Sequence, residues 1–163
     1  GGSYEQRPAS PSEQRDVSPA GKPGETLVVR RFLPVPRERV FAAWLDPASL
    51  AQWMRPKGTT DARVEVDPRV GGKFRVVMIQ GREEFEHTGE YLIIERPARL
   101  SFTWISQATD HQPTEVTIEF LERPGGTELV LTHRRLPPAQ LESHRGGWSS
   151  IFLGLQERLM QQG

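Results

Sequence analysis

The reading of the chain turns on Ser143–Gly163, SHRGGWSSIFLGLQERLMQQG. Trp148, Ile151, Phe152, Leu155 and Leu159 recur there at helical spacing and fall on one face about 100° wide, while Ser149, Ser150, Gln156, Glu157 and Arg158 fall mostly on the other. Such a helix is about 30 Å long, enough to cross a small sheet. Nearly everything ahead of it, Leu27 to Arg134, reads as strands and turns, and a half-buried sheet needs a cover for its apolar face. The helix is that cover, and function is expected in the space left between the two.

Working outward, TELVLTHRRL, TEVTIEFLE, RLSFTWIS, EEFEHTGEYLII, KFRVVMI and Ala62–Asp67 read as strands, separated by turns at Pro124-Gly125-Gly126, Pro97, Gln80-Gly81-Arg82 and Pro68 to Gly72. Gly89, inside the longest of them, predicts a bulge or bend. ETLVVRRFL, from Glu25, is the first strand. Two short helices follow it: PRERVFAAW, with Pro36 as its first residue, and a second with Asp46 as N-cap and Pro47 at its first position. Period-two alternation puts Phe74, Val76 and Met78, then Leu100, Phe102 and Trp104, then Val116, Ile118 and Phe120, then Leu129, Leu131 and His133 on the covered face. Polar residues alternate with them, as in antiparallel sheets with one wet face.

Composition narrows the function classes. The chain has 163 residues, 21 Lys plus Arg against 21 Asp plus Glu, and no cysteine. Balanced charge argues against nucleic acid as a partner, and the lack of cysteine removes disulfides, thiolate nucleophiles and sulfur-ligated zinc. No window approaches the ~18 apolar residues of a membrane span, so no membrane partner is expected and the cytoplasm is the expected location. Residues 1–24 hold four prolines, four glycines and four serines, with only Tyr4 and Val17 as larger apolar groups, and are expected to be a disordered leader to a single domain, 25–163.

The runs VPRERVFAAWLDPASLAQWMRPKG, VGGKFRVVM, HTGEYLIIERPARLSFTW, TEVTIEFLERPGGTELVLTH and HRGGWSSIFLGLQERL together resemble the SRPBCC or START-like superfamily, in the branch named after activators of the heat-shock protein 90 ATPase. The resemblance covers nearly all of Glu25 to Gln162, and Met54-Arg55 departs from the family's usual aromatic-glycine pair. It implies an α+β helix-grip (START / Bet v-type) fold, a curved seven-stranded antiparallel sheet wrapped around the C-terminal helix. It also implies a cavity that many relatives use for apolar ligands. Co-chaperones of this branch carry a further N-terminal domain, for which 24 residues are too few, so a chaperone-interacting module ranks third among the readings.

The expected cavity is lined by Trp53, Phe74, Met78, Phe85, Phe102, Trp104, Ile118, Leu131, His133, Trp148, Ile151 and Phe152, with Trp44 mainly structural. A wedge walled by rings and a thioether suits a small apolar molecule or lipid with one hydrogen-bonding end, met by His133 or a tryptophan N–H. Gly146-Gly147 at the helix entry costs helix stability, so close approach to a strand or ligand is expected there. The four histidines are scattered and no metal motif, Ser-His-Asp order, P-loop or dinucleotide fingerprint occurs, so no metal, no catalytic residue and no cofactor is assigned. The leading function is a carrier or sensor. The alternative is a cyclase-like or hydrolase-like enzyme, in which His133 or His144, one helical turn before Trp148, serves as general base.

Overall fold

The computed structural model describes residues 24–161, so the expected leader lies outside the described residues but for Gly24. Seven strands, β1 (Glu25–Leu33), β2 (Asp61–Val66), β3 (Lys73–Gln80), β4 (Glu83–Glu95), β5 (Arg99–Trp104), β6 (Thr114–Arg123) and β7 (Gly126–Leu136), form one antiparallel sheet in the order β1-β7-β6-β5-β4-β3-β2. Consecutive strands from β2 onward pair antiparallel and β1 pairs with β7; burial alternates most cleanly in β2 and β6, as the sequence does. Helices α1 (Arg37–Ala43) and α2 (Pro47–Trp53) fill the β1–β2 connection, and α3 (Leu141–Gln161) lies across the sheet. This is the expected helix-grip architecture.

Local chemistry sets the boundaries. Asp46 caps α2, its Oδ1 accepting from Ala48 N at 3.1 Å, and Pro47 occupies the first turn, where a missing N–H costs nothing. Pro36 proves to be the N-cap of α1 rather than its first residue; its carbonyl accepts from Arg39 N and Val40 N. Helix α3 starts at Leu141, two residues before Ser143, because the chain leaves Pro137 through a 3-10 turn, Pro138–Gln140, that runs straight into it. Gly89 is not itself the bulge, since it pairs in register with Phe74 and the β4–β5 irregularity falls between Tyr91 and Ile93. It is glycine because an added Cβ would sit 2.0 Å from Thr103 O and 2.4 Å from the Phe74 ring.

The core lies between the sheet and α3. Trp148, Ile151, Phe152, Leu155 and Leu159 are all buried, the stripe expected from their spacing. Each side chain of this size stabilises by roughly 1.5–3 kcal/mol when fully buried. Trp44 stands edge-on to Trp53 and to Phe152 at ring separations of 4.6 and 6.2 Å, and Phe41 meets Phe120 at 4.9 Å. Hydrogen bonds tie down the C-terminal two-thirds of α3: Arg39 donates to Leu159 O at 2.8 Å, Arg31 Nε to Gln156 Oε1 at 2.7 Å, and Lys57 N to Ser150 Oγ at 2.8 Å. Near Gly154 the helix passes so close to α2 that an added Cβ would be 3.3 Å from Trp53 O. At Gly146 and Gly147 an added Cβ would meet nothing within 4 Å, so the expected approach to a strand does not occur. The helix is pinned at one end and stands off the sheet at the other.

Candidate functional site

Two spaces result. The inner one, about 20 Å³, is lined by Trp44, Leu50, Met54, Val66, Phe74, Val76, Tyr91, Phe102 and Trp104. It has room for about one water molecule. The outer one is an open cleft of about 190 Å³ under the N-terminal half of α3, lined by Pro56, Met78, His87, Trp104, Ala108, Gln140, Ser143, His144, Gly147, Trp148 and Ile151. An apolar cavity of about 150 Å³ is enough to hold benzene. Trp104 borders both spaces.

The cleft wall is a row of rings. Trp104 lies 4.8 Å from His87 and 5.1 Å from Trp148, and His133 lies 6.0 Å from Trp148 and 5.4 Å from His144. Behind the row, His133 is fully buried and both its nitrogens are taken. Trp148 Nε1 donates to His133 Nδ1 at 3.1 Å, which leaves the proton of the neutral imidazole on Nε2. That N–H donates to Thr114 Oγ1 at 2.7 Å, and the Thr114 hydroxyl donates to Trp104 O at 2.6 Å. Burial, and secondarily the nearby His144, pushes the His133 pKa down to about 3. His133 therefore orients Trp148 and Trp104 as a neutral strut.

Two histidines face the cleft itself. His87, on β4, has Nδ1 3.4 Å from Val76 O, and burial dominates a fall in its pKa to about 4. His144, on α3, donates from Nδ1 to Gln140 O at 3.0 Å, and burial lowers its pKa against that carbonyl's opposing effect. Both are neutral imidazoles near pH 7. Among the described residues no three His, Asp or Glu side chains come together as a metal site. The Nε1 atoms of Trp44 and Trp104 are buried without an acceptor among the described residues.

Residues 34–160 match the family model described as activator of Hsp90 ATPase homolog 1-like protein. The chain belongs to that family. Solved structures similar to this member include a protein from Chromobacterium violaceum (27% identity, TM-score 0.72, covering 81% of this chain and 94% of that one) and one from Nitrosomonas europaea (28%, 0.69, 84% and 95%). A third is described as an HSP90 activator from Plasmodium falciparum (26%, 0.67, 83% and 96%). No curated protein sequence matches. No helix among the described residues is long and apolar enough to cross a membrane.

Against this Hsp90-activator-homologue fold, the twelve residues expected to line one cavity divide. Met78, Trp104, Trp148 and Ile151 line the open cleft, and Phe74 and Phe102 close the inner space. Trp53, Ile118, Leu131, His133 and Phe152 are buried and line neither space. Trp53 instead packs on Trp44 and donates from Nε1 to Ser49 Oγ at 3.1 Å. Phe85, 39% exposed, lies on the far side of His87 in a separate pocket of about 220 Å³ with Glu84, Glu86 and His111. Trp44, read as structural, does pack in the core, and it also borders the inner space. His87 was missed, although it stands two residues after Phe85 and so shares its face.

Proposed function

We propose that this chain binds a small apolar or aromatic molecule in the outer cleft and acts as its carrier or sensor. The observation that carries the reading is the cleft: about 190 Å³ of open space walled by Trp104, Trp148, Met78 and Ile151, against about 20 Å³ in the inner space. The family's fold is consistent with a ligand-binding domain. Native mass spectrometry of freshly isolated protein tests it. A co-purifying small molecule, lost on Trp148→Ala, is expected; a bare chain that also takes up no aromatic probe contradicts it. The absence of cysteine accords with a reducing cytoplasm as the site of action.

A second reading, cyclase-like or hydrolase-like acid-base chemistry, has one observation in its favour: His144 borders the cleft as a neutral imidazole that can take up a proton. Under that reading His144→Phe abolishes turnover while apolar guests still bind. Chaperone interaction is supported by the family's description and by likeness to the Plasmodium falciparum activator, and by no feature of the cleft.

A further inference from the structure

We propose that Nε2 of His144 is the acceptor by which the cleft selects guests carrying an un-ionised O–H donor, a phenol or enol, on an aromatic or apolar body; this rests on the cleft being a ligand site. Most other polar atoms at the cleft are already engaged. The Trp148 N–H is spent on His133, and both His133 nitrogens are engaged, so the two groups the sequence offered for the polar end of a guest are unavailable to it. Ser143 Oγ is turned to Gln140 O and Oε1, at 3.1 and 2.9 Å. Trp104 Nε1 is sealed from solvent, and His87 makes only a long contact to Val76 O.

His87 and His144 each turn Nδ1 to a backbone carbonyl, which leaves Nε2 as the acceptor on both; His144 is the better fixed, at 3.0 Å against 3.4 Å. Its Nδ1–H is held by Gln140 O, which fixes the tautomer and leaves the Nε2 lone pair free of any protein donor among the described residues. The ring stands edge-on to His133, beside the apolar surface of Trp148 and Ile151. It also sits in the first turn of α3, where the helix dipole disfavours a positive charge, so the imidazole remains an acceptor near neutral pH. A neutral acceptor in an apolar cleft is matched by a donor on an apolar body, and rejects the same body without the donor.

Titration with 4-propylphenol and its methyl ether, 4-propylanisole, followed through the indole N–H signals of Trp104 and Trp148, tests the claim. The phenol is expected to bind about three- to tenfold more tightly, the ratio that one net hydrogen bond supplies. The preference disappears in His144→Phe and survives in His87→Phe. Long-range proton–nitrogen spectra of the unaltered protein give a second readout that needs no variant: His144 Nε2 moves with the phenol and not with the ether. Equal affinities in the unaltered protein, or a preference that persists in His144→Phe, overturn the role of His144 while leaving the cleft as a ligand site. If neither compound binds at millimolar concentration, the ligand site itself fails and this inference falls with it.

Discussion

Where α3 carries Phe152, Leu155 and Leu159, it is held to β1 and α1 by hydrogen bonds and packs its buried side chains against the Trp44 ring. Where it carries His144 and Gly147, the same helix stands over the same curved sheet with open space beneath it. Both ends are built largely from aromatic and aliphatic groups. The difference lies in what reaches across: Trp44, Leu50 and Trp53 arrive from α1 and α2 and fill the first end, while nothing of comparable bulk enters the second. A helix-grip fold thus supplies a wedge, and the short helices after β1 decide how much of it stays open.

The sharpest way to break the comparison is at the closed end. Phe152 is fully buried against Trp44, so Phe152→Ala is expected to cost about 3–5 kcal/mol in urea unfolding while probe binding at the cleft persists. A loss below about 1 kcal/mol would mean the closed end is loosely packed.

Next in size is the response to acid, which reports the strut behind the cleft. His133 has a folded pKa of about 3 and His87 of about 4, both depressed below the ordinary 6.5. Between those values the unfolded chain binds protons that the folded chain refuses, so their stabilisation is complete above pH 6.5 and is lost as pH falls toward 4 and 3. His133 alone is expected to remove about 2 kcal/mol between pH 6.5 and 5, at roughly 1.4 kcal/mol per unit for each proton. His144 acts in the same direction. Stability that stays flat from pH 7 to 5 would show that the imidazoles are not buried as described.

Trp148→Phe sharpens the same point by keeping a ring and removing the N–H. It leaves His133 Nδ1 buried without its donor and is expected to cost about 1–3 kcal/mol and to flatten the acid slope.

How much of this could be read beforehand depends on the range of the signal. The α3 stripe, the strands and the faces of β3, β5, β6 and β7 follow from local period, and the resemblance supplied the topology. The filling of the wedge was not legible, because it depends on how Trp44 and Leu50, on helices read as separate elements, meet Phe74 and Tyr91 from distant strands. His133 illustrates the limit. Alternation placed it on the covered face correctly, but its polar atoms face Trp148 and Thr114 and not a guest, a matter of partners that spacing cannot reveal. Phe85 shares a face with His87, yet it stands near the start of β4, outside the cleft.

The smallest expected effects separate the two neighbouring glycines. Gly146→Ala and Gly147→Ala should each stabilise α3 by about 0.5–1 kcal/mol, since the added methyl meets nothing and helix propensity improves. Gly147 lines the cleft, so Gly147→Leu should weaken probe binding while leaving the thermal midpoint nearly unchanged. A large drop in the midpoint for either alanine variant would mean that α3 lies closer to the sheet there.

The division of the molecule into an open cleft at one end of α3 and solid core at the other is checked by titrating toluene while recording the four indole N–H signals. Saturable shifts are expected for Trp104 and Trp148, with Trp44 and Trp53 unmoved, if that division holds. Silence from Trp104 and Trp148 at millimolar toluene, or all four signals moving together, would contradict it.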